Sequence, residues 1–433
     1  MSHTVLQRLM PISGLVYDER NRTGQGGEMR VLLAHNNYSI AGGAEVFFHE
    51  IGRLLEEHGH EVAKFCCAEE GLSVRYAEHF PRIDHYGDGG LLAKAFRVPS
   101  VIYNNKAKAR MAKVLNDFRP DIVHCFAIYG RLTPSILDAV RETGVPTVLS
   151  CNDYKHICPN YKLFHHGRVC MDCRGGRFYN AILNRCCHDD LAVSAVAALE
   201  AYAHQHMDVW RKNVVRFLFA SRFMEERTHE FWGEGQVRTD ILQNPFDASE
   251  HYVEPHAGDA ILYFGRLIEE KGVKVLLDAA RLCPEVPVVI VGDGPDAPKV
   301  EATASELPNV RFVGPAWGES LRRHMRAARA VVVPSLWHEN FPYVILQAFA
   351  AGLPVIGARR GGIPELVAAG QHGWLFEPTK VVELAAIMQQ VAKLPAEKIE
   401  SIGSKAQNYV SVTFSDDAIY ADLERIYAEV LKS

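Results

Sequence analysis

The chain has 433 residues, 48% of them hydrophobic, and a formal net charge of −5. This length exceeds one ordinary hydrophobic core, so we expect two domains. The acidic balance argues against a nucleic-acid-binding protein, which needs a basic surface. We find no apolar stretch of membrane-spanning length and no secretory signal near Met1. We therefore expect a cytoplasmic protein whose ten cysteines are mostly reduced or metal-bound.

The predicted first domain, residues 29–244, follows an extension over residues 1–28 that lacks periodicity and that we expect to be flexible. It opens with an apolar strand, which Gly42, Gly43 and an amphipathic helix follow. Glycines at a helix start allow close backbone approach, so their N–H groups could cradle a diphosphate. A Gly-Gly pair is more often a simple turn, and other motifs must support this interpretation.

The segment over residues 91–119 mixes basic and apolar residues. One interpretation is a face that docks on the anionic inner surface of a membrane, since each basic residue near such a surface adds about 1 kcal/mol of attraction. The other is a solvated helix face. The basic residues are Lys94, Arg97, Lys106, Lys108, Arg110, Lys113 and Arg119.

A cysteine-rich insertion is predicted over residues 151–190, after another buried strand. A C-x-x-C hook with two outlying cysteines is typical of a four-thiolate zinc site, and zinc–thiolate bonds can fold a polar, Gly-rich segment. Free thiols are the alternative; Cys187 could also replace Cys186, and His165 or His166 could replace one thiolate. The predicted structural zinc ligands are Cys158, Cys170, Cys173 and Cys186.

The predicted second domain, residues 245–412, contains two polar elbows between a strand and a helix. Arg266 and Lys271 flank the first elbow, where their charges could offset that of a diphosphate. Glu339 and Asn340 lie in the second, just before a helix expected to start near Phe341. Free N–H groups at a helix start favour a phosphate or a sugar held by its oxygens. Both elbows follow buried parallel strands, which is where α/β proteins bind ligands.

These motifs together resemble the family 4 retaining glycosyltransferases, in particular a bacterial polysaccharide-type subset with a cysteine-rich insertion. The pattern G-R-L-x-x-x-K-G is matched residue for residue, and Glu339 matches the first acidic residue of the donor-site signature. The resemblance implies an α/β protein of the GT-B fold, with two Rossmann-like domains that face each other across a cleft. It also implies that the terminal helix, residues 413–433, returns to the first domain.

The resemblance further implies the roles of individual residues. Arg266 and Lys271 would hold the donor diphosphate and Glu339 would contact donor-sugar hydroxyls, so these three are the predicted catalytic residues. The implied donor-binding residues are Gly42, Gly43, Gly292, Gly294, Val313, Gly314, Asn340, Phe341, Ile345 and Gln347.

Three positions depart from the family pattern. Gln347 replaces the second acidic residue, Phe126 replaces the second His of an H-x-H pattern that begins at His124, and Asn152 stands where the subset often has His. We expect a retaining transferase that moves a sugar from a UDP- or GDP-type donor to a saccharide or lipid-linked acceptor, without a catalytic metal, in cell-surface polysaccharide or glycoconjugate synthesis. The alternative is a catalytically degenerate homologue that binds a nucleotide sugar as a scaffold or regulator.

Overall fold

A computed structural model describes residues 27–40, 42–83 and 91–432, with the side chains of residues 91–96 left aside. Almost all of the extension expected over residues 1–28 therefore lies outside the described residues. Two parallel sheets of six strands each form the framework, and each has its own hydrophobic core. The mixed α/β class expected from the sequence is confirmed.

The central strands of the first domain's sheet are short and largely apolar, and they are buried on both faces, as parallel strands between helices must be. The domain's strands are β1 (Arg30–Ala34), β2 (Glu61–Phe65), β3 (Ile122–Cys125), β4 (Thr147–Cys151), β5 (Phe164–His165), β6 (Arg168–Val169), β7 (Arg216–Phe219) and β8 (Thr239–Ile241). Strands β5 and β6 form a separate antiparallel hairpin, and the others pair in the order β2-β1-β3-β4-β7-β8.

Helices cover both faces of this sheet. They are α1 (Gly43–Glu57), α2 (Leu91–Ile102), α3 (Asn105–Phe118), α4 (Ser135–Glu142), α5 (Tyr179–Leu183), α6 (Leu191–His206) and α7 (Arg222–Trp232). Three of them begin with a side chain that accepts a hydrogen bond from a free N–H group of the first turn, at Asn104, Asp190 and Ser221.

The second domain repeats the design with a different strand order. Its strands are β9 (Ala260–Phe264), β10 (Val288–Val291), β11 (Val310–Gly314), β12 (Ala328–Val333), β13 (Val355–Ala358) and β14 (Gly373–Phe376). Its helices and the helices that follow are α8 (Val273–Leu282), α9 (Ala297–Ser305), α10 (Gly318–Arg326), α11 (Tyr343–Ala350), α12 (Ile363–Leu366), α13 (Val381–Lys393), α14 (Ala396–Thr413) and α15 (Asp416–Lys432). The strands pair in the order β11-β10-β9-β12-β13-β14, the doubly wound order in which the direction of winding reverses between β9 and β12.

Helix α15 packs on the first domain rather than on the second. Its apolar residues Ile419, Leu423 and Ile426 belong to the first domain's core. The Tyr427 hydroxyl and His124 Nδ1 form a hydrogen bond of 2.8 Å, and His124 Nε2 bonds the Ser150 hydroxyl at the same distance. Burial lowers the pKa of His124 to about 3, so the ring is neutral at physiological pH. His124 therefore ties α15 to strands β3 and β4.

We predict that Tyr427→Phe lowers stability by about 1 kcal/mol, because it leaves one nitrogen of the buried His124 ring without a partner. Thermal unfolding measures the effect. Tyr252→Phe is the matched control, because Tyr252 is 53% exposed and its hydroxyl bonds only Glu254 at the surface. Equal melting temperatures for the two variants would contradict a tether through His124.

Candidate active site at the domain cleft

The candidate site lies where the second sheet reverses its winding. Loops that leave adjacent strands β9 and β12 at this point run to different helices and open a crevice at the carboxyl ends of the strands. The first loop runs from Gly265 into a short 3₁₀ helix, Glu269–Lys271, and the second runs from Pro334 to the start of α11. Helix α11 begins at Tyr343, two residues later than the sequence predicts, because Pro342 adopts an extended conformation and caps the helix instead of entering it.

A buried ion pair joins the two loops. Lys271 Nζ lies 2.7 Å from Glu339 Oε1, and the Ser335 hydroxyl donates a hydrogen bond of 2.6 Å to the same oxygen. Burial alone raises the pKa of the Glu339 carboxyl, but Lys271 and the hydrogen bonds outweigh burial and leave the pKa below its ordinary value of 4.5. The sequence predicted both residues as catalytic, and the structure brings them into direct contact.

Two glycines allow the backbones around Glu339 to approach closely. Gly272 has φ = 69°, and a Cβ there would lie 2.0 Å from the Pro334 carbonyl oxygen. Gly361 has φ = 56°, and a Cβ there would lie 2.0 Å from the Glu339 carbonyl oxygen. In addition, the Leu336 N–H donates to the Glu270 carbonyl at 2.9 Å. Backbone contacts as well as the ion pair therefore fix the position of Glu339.

Arg266 lies on the first loop with its side chain exposed. Its carbonyl accepts a hydrogen bond of 2.8 Å from the Tyr263 hydroxyl, which orients the loop. Within the described part of the chain its guanidinium forms no hydrogen bond or ion pair, in contrast to that of Lys271. Its charge helps to lower the pKa of Glu270, but a guanidinium at the rim of the crevice with no hydrogen-bonded partner among the described residues is suited to bind an anion.

The first domain supplies the opposite wall. Gly42 is extended and caps α1, Gly43 is exposed, and a Cβ on Gly43 would lie 3.4 Å from the ring of Tyr343. The Gly-Gly pair therefore faces the start of α11. The Asn244 side chain donates to the Tyr343 hydroxyl at 2.9 Å, so the segment between the domains is anchored at the same place.

A second contact crosses the cleft between two asparagines. Asn340 Nδ2 donates a hydrogen bond of 2.6 Å to the Asn152 carbonyl. The Oδ1 atoms of Asn340, Asn152 and Asn244, and Nδ1 of His338, are buried without a hydrogen-bond partner among the described residues. Buried polar atoms are rarely left unsatisfied, and a cluster of them in a cleft is suited to bind the hydroxyls of a polar ligand.

The remaining predicted donor-binding residues occupy two places. Gly292 and Gly294 let the loop after β10 pack on the first loop, since a Cβ on Gly292 would lie 2.0 Å from the Gly265 carbonyl oxygen. Gly292 also donates to the Gly314 carbonyl at 2.9 Å, and Val313 beside it is partly exposed.

The other predicted donor-binding residues lie on helix α11 and in the loop that precedes it. Gln347 is half-buried, and Ile345 is fully buried in the core. Phe341 packs edge-on against Phe414 at 5.4 Å between ring centroids. Any donor contact of Ile345 would therefore have to come from its backbone, and the donor-binding role of all these residues stays a prediction.

Phe126, the most prominent departure from the family pattern, lies in the hydrophobic core. Its ring stacks on His124 with centroids 4.3 Å apart and packs edge-on against Phe47 and Phe48 of α1 at 5.5 Å. The side chain therefore stabilises the contact between α1 and the sheet. The sequence did not single out Ser335 or Tyr343, although Ser335 stands four residues before Glu339.

The four predicted zinc ligands, Cys158, Cys170, Cys173 and Cys186, line a single small cavity in the insertion. Of the alternatives, His165 also lines it, whereas Cys187 does not. His166 is exposed and lies 3.5 Å from Asp189.

Two doubly wound domains that face each other across such a cleft define the GT-B class of fold. HepE of Anabaena, solved in complex with UDP, superposes with a TM-score of 0.63 at 19% identity, over 93% of this chain and 100% of that one. The family model "Glycosyltransferase Family 4" matches residues 41–250, and "Glycosyl transferases group 1" matches residues 247–409. The chain belongs to the family 4 glycosyltransferases.

Two relatives extend over most of the chain. Sulfoquinovosyl transferase SQD2 of Arabidopsis thaliana is 24% identical over 86% of this chain and 67% of its own length. N-acetyl-alpha-D-glucosaminyl L-malate synthase of Bacillus anthracis is 23% identical over 93% of this chain and 98% of its own length. The protein is thus a glycosyltransferase enzyme that uses a nucleotide-sugar donor.

We predict that Lys271→Met destabilises the protein by about 3 kcal/mol at neutral pH, because it leaves the Glu339 carboxylate buried without its cation. The pKa of Glu339 lies below 4.5 in the folded chain, so the ion pair contributes stability above that pH and loses it as the pH falls through the folded pKa. The difference in melting temperature between the parent and the variant should therefore shrink below pH 4.5.

The double variant with Glu339→Gln should recover part of the lost stability, because no charge is then left buried. Lys274→Met is the matched control, since the Lys274 side chain is 85% exposed and, among the described residues, pairs only with Asp278. A pH-independent loss in Lys271→Met, or no recovery in the double variant, would show that the ion pair does not account for the effect.

Proposed function

We propose that this glycosyltransferase moves a hexose-like sugar, with retention of anomeric configuration, from a UDP- or GDP-type donor to a saccharide or lipid-linked acceptor. The observation that carries the proposal is the pairing of Lys271 with Glu339 at the winding reversal, opposite the Gly-Gly loop. Beside the pair stands Arg266, which is exposed and forms no hydrogen bond or ion pair with the described residues. Cations and exposed backbone N–H groups meet there from both domains. The site can thus hold a diphosphate and, next to it, the hydroxyls of a sugar.

The chemistry follows from this arrangement. The bond between the anomeric carbon and the diphosphate oxygen breaks while the acceptor oxygen bonds the same face of the sugar, and the acceptor proton passes to the departing phosphate oxygen. Arg266, Lys271 and the Gly43 N–H stabilise the charge that develops on the diphosphate. Glu339 orients the donor sugar through its hydroxyls. Two cations perform the task that a metal ion performs elsewhere, so no catalytic metal is required.

Gln347 decides how the nucleotide ribose is held. An amide accepts one hydrogen bond and donates another, whereas a carboxylate only accepts. We propose that Gln347 binds the ribose hydroxyls as one acceptor and one donor.

The alternative, a degenerate homologue that binds nucleotide sugar without turnover, is favoured by Phe126, whose place in the core leaves no acid or base at that position.

We propose that the acceptor belongs to cell-surface polysaccharide or glycoconjugate synthesis and that the enzyme works in the cytoplasm at the inner face of the membrane. Among the described residues no helix has both the length and the apolar character needed to cross a bilayer. In α3, Met111 is fully buried in the core and Lys108 pairs with Glu142 at 2.6 Å. The apolar face of α3 therefore packs inward, and membrane contact would rest on charge.

We expect the protein to sediment with anionic liposomes at low salt and to be released as salt rises, because screening weakens attraction between exposed charges. The double variant Lys106→Glu with Lys113→Glu should sediment less than Lys274→Glu, a matched change on the second domain. Equal recovery of the parent in the supernatant with anionic and with neutral liposomes would contradict the proposal.

The first test of the proposed function is a thermal-shift titration with UDP and GDP, each with and without common sugars. A nucleotide at ~100 times its dissociation constant adds roughly 2.7 kcal/mol to the unfolding free energy. We expect one of the two nucleotides to stabilise the protein selectively. Absence of a shift with both would contradict the donor site.

The second test is Arg266→Ala, in the same assay and in an assay of nucleotide release from the selected donor. Because Arg266 is exposed, its loss should leave the melting temperature unchanged, yet turnover should fall about 100-fold or more, as for other residues that stabilise leaving-group charge. Lys274→Ala is the control with the same change of charge. Release that is absent in the parent and appears in Gln347→Glu would support the degenerate homologue instead.

A further inference from the structure

The backbone of the cysteine-rich insertion is rich in residues with left-handed conformations. Six of the ten described non-glycine residues with positive φ lie between Cys158 and Asp190, with φ from 46° to 58°. Side chains with a Cβ disfavour this region, so a short segment needs strong cross-links to hold so many of them. These residues are Tyr161, Leu163, His166, Arg185, His188 and Asp189.

The insertion has few regular elements to supply such cross-links. It contains a hairpin of two-residue strands, β5 and β6, and the five-residue helix α5. Asn160 holds the segment locally, because its side chain donates to the Phe164 carbonyl at 3.0 Å and to the Cys186 carbonyl at 3.2 Å and accepts from the Lys162 N–H. These bonds bring the outlying cysteine Cys186 toward the hairpin.

Four cysteines of the insertion line one small cavity. Cys158, Cys170, Cys173 and Cys186 line a cavity of 10 Å³, which has room for one water-sized sphere. Four cysteines are the donor set of a tetrahedral zinc site. Among the described residues only His165, Cys170 and Asp172 have three ligand atoms within 4.8 Å of one another, so zinc binding would draw the four sulfurs closer together.

A competing donor set overlaps this one. Ligand atoms of His165, Cys170 and Asp172 lie within 4.8 Å of one another, and His165 Nδ1 is buried without a partner among the described residues. However, Asp172 already accepts a hydrogen bond of 3.0 Å from Asn184 and lies 3.3 Å from Arg168. The four cysteines of the cavity offer four ligands without Asp172, and thiolate ligands favour a soft metal.

The hairpin of the insertion touches the donor-side loop of the second domain. Lys162 forms an ion pair with Glu270, and a Cβ on Gly167, in the turn between β5 and β6, would lie 3.1 Å from the Glu269 carboxylate. Glu269 and Glu270 directly precede Lys271. A constraint on the insertion is therefore also a constraint on the loop that carries Arg266 and Lys271.

We propose that Cys158, Cys170, Cys173 and Cys186 bind one structural zinc ion, which holds the β5–β6 hairpin against the loop Glu269–Lys271. The proposal of a zinc site depends only on observations in the insertion. The proposed effect of zinc on the donor site rests on the proposed function. The metal has no part in the chemistry, and removing it should weaken nucleotide binding by loosening the loop.

Metal analysis tests the site. Full-length protein purified without chelator should contain one zinc per chain, and Cys186→Ser should lose it. Cys187→Ser is the matched control, since Cys187 is the adjacent residue and lies outside the cavity. His165→Asn should keep its zinc. Protein without zinc, iron with acid-labile sulfide in its place, or loss of zinc in His165→Asn would each overturn the four-thiolate site.

A second measurement covers the case in which Cys186→Ser fails to fold. Zinc is stripped from the folded parent by a chelator and replaced by Co²⁺, whose thiolate charge-transfer absorption in the near ultraviolet should appear at one equivalent. A spectrum without that absorption would overturn thiolate ligation.

Amide hydrogen exchange tests the coupling without any nucleotide. Stripping zinc should accelerate exchange in residues 158–190 and also in residues 265–272, and unchanged exchange in the second segment would overturn the coupling. Lys162→Met should keep its zinc and, if the proposed function holds, weaken binding of UDP or GDP about threefold to tenfold. Lys299→Met is the control on the second domain. If the parent protein binds neither nucleotide, the proposed function is contradicted, whereas the zinc and hydrogen-exchange results still test the zinc site and the coupling.

Discussion

A carboxylate buried away from water needs a cation at a fixed place, and in this protein Lys271 meets that need for Glu339. The two residues come from loops that leave adjacent strands, so their pairing holds together the carboxyl ends of β9 and β12. Gly272 and Gly361 let the backbones around the pair approach closely. Arg266 lies on the same loop as Lys271, so the ion pair also fixes the position of Arg266. The Arg266 guanidinium forms no hydrogen bond with the described residues and can bind a ligand.

Several contacts between the domains are hydrogen bonds. Asn340 bonds Asn152, Tyr343 bonds Asn244, and the Glu365 carboxylate accepts from two N–H groups at the start of α7. Water can replace each of these bonds, so the domains can separate at low cost, as substrate entry and product release require. Part of the surface that would contact a ligand in the cleft is therefore formed only when the two domains close.

Much of this design could be predicted from the sequence, because it depends on local patterns. Buried parallel strands are continuous apolar runs, and the glycines and cations of the elbows follow them at short range, so the family, the fold and the positions of Arg266, Lys271 and Glu339 were accessible. The direct contact between Lys271 and Glu339 was not, since it depends on strand order. Likewise, only packing shows that Phe126 faces α1, and the true start of α11 was missed because a proline suits both a cap and a first turn.

Helix α15 completes the hydrophobic core of the first domain but is synthesised after the second domain. Ile419, Leu423, Ile426 and Tyr427 belong to the same core as residues of β1 and β3, which the ribosome makes roughly three hundred to four hundred residues earlier. Until α15 emerges, the nascent first domain has an apolar groove open to water and a His124 ring without one of its partners. Synthesis therefore passes through a long interval in which this groove must be shielded, by a chaperone or by transient contacts of the chain with itself. The order of the chain thus places completion of the first domain after synthesis of the second.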